Sequence, residues 1–319
     1  MKFLLAGFGS IGRRHFRNLL TLGEHDIVLL RSHKSTIEDN ETAGFATETS
    51  IEAALAHQPD AVVIANPTAL HLKVAIPAAQ AGCHILIEKP VSDDQEGIAI
   101  LDTILCQQKR QLLVGFQFRY HPGLRQIKKW LDSGIIGRPL LAHAHWGEYL
   151  PDWHPWEDYR NSYAARKDLG GGVVRTLSHP LDYLHWLLGE VDHVSAFTAN
   201  LSDLELASVE DMGEIQLQFK SGAFGTLQVN YFQQPTRHDL EIVGTEGTLR
   251  WDNTDGAARA WMRKTGCWQV VPLPDGFDRN DLFLAEMRHF IDIVNGKAAS
   301  GCSLDDGLAV QRLIDSIVG

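Results

Sequence analysis

A lysine stands where an apolar run leaves the predicted core. Ile85-Leu86-Ile87 is followed directly by Glu88-Lys89-Pro90. A charged amine beside a buried strand is costly unless its charge or its proton has a use. Pro90 restricts the backbone just after the lysine and so directs its ammonium group one way. The pattern suggests acid–base or electrostatic chemistry at Lys89.

A second candidate group lies downstream, where Gly170-Gly171-Gly172 precedes a segment ending in His179-Pro180-Leu181-Asp182. Pro180 suits the first position of a helix, which places His179 at the helix N-terminus. There the helix dipole favours the neutral imidazole, which can accept a proton near neutral pH. Asp182, three residues on, could orient the ring. The alternative is that His179 only caps the helix.

The chain opens with a dinucleotide-binding pattern. The sequence fits GxGxxG after an apolar segment and at the start of a helical one, which is the context that supports the motif. Its residues are Gly7, Phe8, Gly9, Ser10, Ile11 and Gly12. The glycines let the backbone approach a pyrophosphate at the helix N-terminus. We therefore expect Lys89 to face a redox cofactor.

The second predicted strand runs into Arg31-Ser32-His33-Lys34, with no acidic residue to hold ribose hydroxyls. Arg31, Ser32 and Lys34 could instead hold a 2′-phosphate by charge-assisted hydrogen bonds. This predicts a preference for NADP, with NAD possible. The alternative is a solvated basic loop.

The third predicted strand ends in Asn66-Pro67-Thr68, and His71 opens the next helix. Ligands bind at this end of a parallel sheet, so these residues are predicted to line the nicotinamide half, together with Glu88 and Lys89. A structural turn with a helix cap is the competing interpretation.

The elements that must position these groups fall into two regions. Up to about residue 118, predicted strands (2–6, 26–30, 61–65, 85–87, 112–115) alternate with predicted helices (11–22, 51–57, 71–81, 93–108). Such alternation indicates βαβ units and a parallel sheet. Beyond a helix at 122–133, segments of period two (140–146, 191–200, 214–219, 223–232, 238–243, 247–252, 258–263) indicate an antiparallel sheet. Helices are predicted at 180–188, 282–295 and 304–318. We predict an α/β protein with domains 1–118 and 119–319.

The net charge, the apolar runs and the cysteine spacing limit the partners and the compartment that we expect for this protein. The 319 residues carry a net charge of -11 without a dense basic patch, so nucleic acid and anionic membranes are not expected partners. No apolar run approaches a transmembrane length, and the one at 3–6 is too short for a signal peptide. The four cysteines form no CxxC pair, which argues against a zinc ribbon or a redox dithiol. Cys83 and Cys106 lie in apolar patterns typical of buried free thiols, and a reducing cytoplasm is expected. His143 and His145 share a strand face, but nothing nearby completes a metal site, and none is predicted.

The order and spacing of these motifs resemble the Gfo/Idh/MocA oxidoreductases. The resemblance covers nearly the whole chain, including Leu240-Glu241-Ile242-Val243-Gly244-Thr245-Glu246-Gly247. It implies a doubly wound Rossmann domain, then an α+β domain whose large open sheet forms homodimers or homotetramers. It also implies that His179 is the general base and that Lys89 polarises the substrate oxygen or relays its proton during hydride transfer.

One departure from the family pattern concerns the residues before His179. Many members carry an Asp three or four positions upstream, where this chain has Thr176 and Arg175. Arg175 could instead bind an anionic group, or it could point away from the pocket. Substrate contacts through this segment therefore differ from the family pattern.

The predicted substrate residues lie in three segments. Arg119 and Tyr120 join the two regions, where pockets commonly form. The segment 146–160 mixes rings and polar groups, as a sugar site requires, although aromatics can also simply pin a loop. The predicted contacts are Arg119, Tyr120, Trp153, His154, Tyr159, Arg175, Thr176 and Asp182.

We therefore expect an NAD(P)-dependent oxidoreductase acting on a sugar, sugar derivative or cyclitol. Two alternatives remain open: a glycoside hydrolase that uses transient oxidation by NAD, and a non-catalytic cofactor-binding sensor.

Overall fold

The computed structural model describes residues 1–32, 41–92, 95–154 and 157–319. They form two compact units. The N-terminal unit comprises Met1–Gln117 and Arg279–Leu308, and the C-terminal unit comprises Phe118–Asp278 and Ala309–Gly319.

The N-terminal unit is built on a parallel sheet. Its elements are β1 (Lys2–Ala6), α1 (Ser10–Thr21), β2 (Asp26–Leu30), β3 (Ala46–Glu48), α2 (Ile51–Ala56), β4 (Ala61–Ile64), α3 (His71–Gln80), β5 (His84–Glu88), α4 (Gln95–Gln108), β6 (Leu112–Gly115) and α8 (Asn280–Val294). The six strands run in the order β3-β2-β1-β4-β5-β6, and every adjacent pair is parallel. Strands β1, β4 and β6 are almost wholly buried, as expected for a parallel sheet covered on both faces. This confirms the predicted Rossmann arrangement.

Helix α8 corrects the predicted assignment of every residue after 118 to the second domain. It packs against α1, and Phe290 lies 6.5 Å from Phe3 of β1, ring centre to ring centre. Met287 and Phe290 are fully buried. The sequence did not indicate that α8 belongs to the N-terminal unit, because the apolar pattern of an amphipathic helix does not specify which apolar layer the helix covers.

The C-terminal unit contains a larger, mostly antiparallel sheet. Its elements are α5 (Pro122–Asp132), β7 (Pro139–Tyr149), α6 (Val173–Thr176), α7 (His179–Leu188), β8 (Val191–Ala199), β9 (Met212–Phe219), β10 (Phe224–Asn230), β11 (Phe232–Gly244), β12 (Gly247–Asp252), β13 (Ala258–Met262) and β14 (Cys267–Val271). The eight strands run in the order β14-β13-β12-β11-β7-β10-β9-β8. Only β7 and β10 pair in parallel among these adjacent strands.

Two strands of the structure were not predicted, and one predicted strand corresponds to parts of two observed strands. β3 has three residues, and β14 is exposed along most of its length, so neither shows an apolar alternation. The predicted strand at 223–232 ends at Asn230, and β11 begins at Phe232. The last helix, α9 (Leu304–Val318), has residues in both units. Among the described residues, no helix has the length and apolarity needed to cross a bilayer.

Candidate active site

The glycine loop between β1 and α1 has the shape that a pyrophosphate requires. Gly7 has φ of 94°, and a Cβ there would lie 2.6 Å from the Asn66 backbone nitrogen. A Cβ on Gly12 would lie 2.2 Å from the Gly7 carbonyl oxygen. In contrast, a Cβ on Gly9 would meet no atom within 4 Å, and no side chain caps the helix there. The outer glycines therefore allow close packing, while Gly9 and the exposed Ser10 leave room and N–H groups for an anion.

Phe8 points into the core, unlike an exposed cofactor contact. Its ring lies 5.5 Å from that of Phe16, and the guanidinium groups of Arg13 and Arg31 lie 5.0 and 4.7 Å from its centre. Ile11, the remaining residue of the motif, is half-buried. The Phe8 side chain thus supports the loop from beneath.

Arg31 follows β2 directly and lies beside the glycine loop. The Gly7 amide donates to the Leu30 carbonyl at 3.1 Å, and Arg31 Nη1 donates to Thr42 Oγ1 at 3.3 Å. Arg31 is buried, whereas Ser32 is exposed. Lys34 lies outside the described residues. The end of β2 therefore carries a cation next to Phe8 and no carboxylate in the described part of this turn.

Asn66, which was predicted to line the cofactor site, lies two residues after β4 and against Gly7. Pro67 is half-buried, and Thr68 is buried in a short 3-10 helix. His71 corrects the prediction. Its Nε2 lies 2.9 Å from the Asn66 carbonyl oxygen, and its Nδ1 lies 3.1 Å from the carbonyl oxygens of Pro90 and Val91. With both ring nitrogens facing backbone, His71 joins two turns and does not line a cofactor surface.

The side chains of Glu88 and Lys89 have different environments. The Glu88 carboxylate is buried, and its Oε1 lies 2.8 Å from His15 Nε2. This corrects the prediction that Glu88 contacts the cofactor, because the carboxylate turns toward α1 within the unit. Lys89 is half-buried and is followed by a cis peptide bond to Pro90. Burial lowers the pKa of Lys89 to about 8, and the charge of Glu88 opposes that shift.

In the C-terminal unit, α7 begins at His179 with Pro180 in its first turn, as predicted. The His179 ring is buried between aromatic neighbours. It stacks on Trp146 with 5.5 Å between ring centres, and it lies 5.2 Å from Phe118. His238 stacks on Trp146 at 4.2 Å. The sequence did not identify Phe118, Trp146 and His238 as residues that support His179. The one available signal was that Trp146 ends the predicted strand 140–146.

Arg119 and Asp182 correct two substrate predictions. Arg119 Nη2 donates to Asp182 Oδ1 at 2.7 Å, and Nε lies 3.0 Å from both carboxylate oxygens. Their side chains are 5% and 1% exposed. Because each neutralises the other inside the unit, neither presents a charge to a substrate. Asp182 was also predicted to orient the His179 ring. In the structure its carboxylate accepts hydrogen bonds from Arg119.

The other predicted substrate residues are more accessible, with one exception. Tyr120 is buried beneath Arg125, whose guanidinium lies 5.0 Å from the ring centre. Trp153 is half-buried and lies edge-on to Tyr231 at 5.6 Å. His154 and Tyr159 are half-buried, and the Tyr159 hydroxyl accepts from the Glu205 amide at 3.1 Å.

A carboxylate from a distant part of the chain, that of Glu210, lies beside the segment before His179. Arg175 Nη2 lies 3.8 Å from Asp315 Oδ1, and Thr176 is half-buried. Glu210 Oε1 accepts from the Val174 amide at 3.1 Å, and burial raises the pKa of Glu210. A Cβ on Gly172 would lie 2.6 Å from the Glu210 carboxylate. Gly172 therefore makes room for a carboxylate that comes from a distant part of the chain.

One group in the described residues has the composition of a metal site. His15, Glu88 and Glu286 are buried and bring possible ligand atoms within 4.8 Å of one another. The 2.8 Å between His15 Nε2 and Glu88 Oε1 is a hydrogen-bond distance. A hydrogen bond between His15 and Glu88 therefore accounts for this contact.

The chain is similar to known dehydrogenases along almost its full length. Residues 1–116 match the family model described as "Oxidoreductase family, NAD-binding Rossmann fold", and residues 124–250 match "GFO/IDH/MocA C-terminal domain". Inositol 2-dehydrogenase 3 of Saccharopolyspora erythraea is 27% identical over 98% of this chain and 90% of that protein. Levoglucosan dehydrogenase of Pseudarthrobacter phenanthrenivorans is 26% identical over 86% of this chain and 82% of that protein. A solved levoglucosan dehydrogenase in complex with NADH and levoglucosan superposes with a TM-score of 0.87 at 20% identity, covering 100% of this chain and 96% of that one.

Proposed function

Because this chain belongs to the GFO/IDH/MocA family of oxidoreductases, we propose that it is a nicotinamide-dependent dehydrogenase of sugars, sugar derivatives or cyclitols. The observation that carries this proposal is the glycine loop at the carboxyl end of a parallel sheet, in a chain that also keeps Lys89 and His179. The named relatives act on inositol and on levoglucosan, which are polyols without a charged group.

The chain's own residues would divide the work as follows. The glycine loop, Arg31, Ser32 and Asn66 would hold the dinucleotide, whose nicotinamide supplies hydride transfer when bound. His179 would take the proton of the substrate hydroxyl as general base. Lys89 would polarise the substrate oxygen or relay its proton, and in carbonyl reduction these roles reverse.

The finer cofactor proposal is a preference for NADP over NAD, with Arg31 and Ser32 as the 2′-phosphate contacts. The absence of a carboxylate at the described end of β2 supports it, since NAD-preferring sites usually place an acid there. Fluorescence titrations with NADPH and NADH test it directly. Arg31→Gln should weaken NADPH binding about tenfold or more while NADH binding changes little. Equal or tighter binding of NADH by the wild-type protein would refute the preference.

For the substrate, we propose that Trp153, His154, Tyr159, Arg175 and Thr176 supply the contacts. They offer an aromatic surface and hydrogen-bonding groups, which suit the faces and hydroxyls of a sugar. Arg175 already lies near Asp315, so its charge is partly balanced. This favours a neutral polyol over a strongly anionic substrate.

We further propose a homodimer or homotetramer formed through the eight-stranded sheet. The strand register places Phe197, Phe224, Trp268 and Val270 on one face, where they are 41–63% exposed. Exposed apolar groups on one face are typical of an interaction surface. All four cysteines carry free thiols, which supports the proposed reducing, cytoplasmic setting.

A substrate panel tests the proposed reaction. Free sugars, cyclitols, anhydrosugars, sugar phosphates and nucleotide sugars would be incubated with NAD or NADP, and reduced nicotinamide would be followed by absorbance. We expect stoichiometric reduction with a free sugar or cyclitol. Cleavage of a glycoside without net reduced cofactor would instead identify a hydrolase, and no redox turnover with any compound would favour a sensor.

A further inference from the structure

Two buried arginines share one aromatic ring beside the glycine loop. Arg31 directly follows β2, and Arg13 lies near the start of α1. Their guanidinium carbons lie 4.7 and 5.0 Å from the centre of the Phe8 ring, and both side chains are buried. Stacking on a ring fixes a guanidinium group and leaves its N–H donors available at the edges. Two oriented positive charges therefore lie where the end of β2 meets the glycine loop, the region that binds the adenosine ribose in this fold.

A carboxylate from the segment after β2 binds Arg13 and a third arginine, Arg17, one turn further along α1. Glu41 Oε1 accepts from Arg13 Nη1 at 3.3 Å, and Glu41 Oε2 accepts from Arg17 Nε at 2.7 Å. The next residue, Thr42, accepts from Arg31 Nη1 at 3.3 Å. The hydrogen bond from Arg17 lowers the pKa of Glu41, so the carboxylate is charged at neutral pH. Glu41 and Thr42 together thus contact all three arginines.

The Glu41 carboxylate offers these arginines the same chemistry as a phosphate. Both groups present paired anionic oxygens to the N–H donors of a guanidinium group. Two anions cannot use the same donors, and neighbouring like charges repel. The Arg17 side chain is 62% exposed, and exposed ion pairs contribute little stability. A phosphate can therefore displace Glu41, while Arg13 and Arg31 stay against Phe8.

We propose that Glu41 determines cofactor specificity: it occupies Arg13 and Arg17 as an internal anion and competes for them with the 2′-phosphate of NADP. The inference rests on the proposed cofactor preference in naming that phosphate, and it adds Arg13 to the proposed contacts Arg31 and Ser32. Because NAD has no 2′-phosphate, the competition lowers the affinity for NADP alone. Glu41 thus narrows the difference in affinity between the two cofactors.

Fluorescence titration of the full-length protein with NADPH and NADH tests this competition without any turnover. In Glu41→Gln, NADPH should bind roughly fivefold tighter or more, because a blocked site shows its affinity only for the fraction of time that it is open. NADH affinity should stay within about twofold of wild type, since NADH has no group that competes with Glu41. Adenosine 2′,5′-bisphosphate carries the phosphate without the nicotinamide, so its affinity should rise by the same factor as that of NADPH.

The matched control is Glu48→Gln. Glu48 lies on β3 and its carboxylate also has a partner, His57 Nε2 at 2.8 Å. The Glu48 side chain is 30% exposed, against 29% for Glu41. Glu48→Gln should leave the NADPH affinity unchanged, which separates a contact with the arginines from a general loss of negative charge.

Arg13→Gln gives an independent result. This variant should bind NADPH more weakly than wild type and NADH equally well, because only NADPH uses the Arg13 charge. Adding Glu41→Gln to Arg13→Gln should raise the NADPH affinity by a smaller factor than in the wild-type background, since a shared partner makes the two changes non-additive.

Four results would overturn the proposal. An NADPH affinity that is unchanged or weaker in Glu41→Gln would show that Glu41 does not compete with the phosphate. A loss of NADH affinity in the same variant would make Glu41 a ribose contact. Unchanged NADPH binding in Arg13→Gln would remove Arg13 from the site, and equal gains from Glu41→Gln in both backgrounds would mean that Glu41 acts only at a distance. A wild-type protein that prefers NADH, or a substrate panel without turnover, would contradict the proposed function and leave these comparisons between variants intact.

Discussion

Arg119 and Asp182 form a buried, two-pronged ion pair, with 2.7 Å between Nη2 and Oδ1. Arg119 follows Phe118, and Asp182 lies in the first turn of α7, which begins at His179. The pair therefore ties the start of α7 to the segment that carries Phe118, and Phe118 packs on His179. Two residues expected to touch the substrate instead hold the candidate base in place.

Removing one member of this pair should destabilise the protein. Arg119→Met or Asp182→Leu alone leaves a buried charge without its partner, and we expect a loss of about 3–5 kcal/mol in the free energy of unfolding. The double variant should recover most of that loss. Urea denaturation measures all three. If the single variants keep wild-type stability and change only the KM, the two residues are substrate contacts after all.

His179→Ala should lower turnover about 10²–10⁴-fold, because a general base contributes about that factor. Affinity for the dinucleotide should stay within about twofold of wild type, since the change removes no proposed cofactor contact. His185→Ala, on the same helix and half-buried, is the matched control and should keep its turnover. Steady-state kinetics decide the point, and a His179→Ala enzyme with near-normal turnover would remove His179 from the mechanism.

Two glycines of the loop, Gly7 and Gly9, should respond differently to alanine. Gly9→Ala meets no protein atom, so the melting temperature should hold while dinucleotide binding weakens about tenfold or more. Gly7→Ala adds a side chain at φ of 94° against the Asn66 backbone and should lower the melting temperature. Calorimetry and NADPH titration on both variants separate the two effects. Unchanged cofactor affinity in Gly9→Ala would argue against pyrophosphate binding at this loop.

Lys89 should make stability depend on pH in a defined window. Its pKa falls from the ordinary 10.5 to about 8 on burial, so between these values the unfolded chain binds more protons and stability rises with pH. Below about pH 8 Lys89 is charged in the folded protein, so the full cost of burying its ammonium group lowers the free energy of unfolding. Lys89→Met should therefore be more stable than wild type below about pH 8, and this advantage should disappear toward pH 10.5.

Denaturant melts from pH 6 to 10.5 provide the measurement for Lys89→Met. Lys73→Met is the control, since Lys73 is exposed and its variant should differ from wild type by the same amount at every pH. A constant difference between Lys89→Met and wild type would show that the Lys89 proton is not linked to folding.

Local patterns were enough to predict most elements of this protein. Short apolar runs between helices predicted most strands of the parallel sheet, and period-two alternation predicted most strands of the antiparallel sheet, because side-chain direction follows from backbone geometry. The glycine loop was equally readable, since Gly7 and Gly12 stand where no other side chain fits. β3 and β14 were not predicted, because short or exposed strands bury no apolar face and so show no apolar pattern.

The direction of polar side chains could not be read in the same way. Glu88, His71, Arg119 and Asp182 were all expected to face a ligand, and each instead meets a partner inside its own unit. Those partners are far away in sequence: His15 is 73 residues from Glu88, and Arg119 is 63 residues from Asp182. A buried charge must find a counter-charge or a donor, and only the tertiary structure decides which residue provides it. The sequence by itself thus determined the family, the cofactor loop and the candidacy of Lys89 and His179. The tertiary structure decided which groups pair with Glu88, His71, Arg119 and Asp182, because those contacts arise from long-range packing.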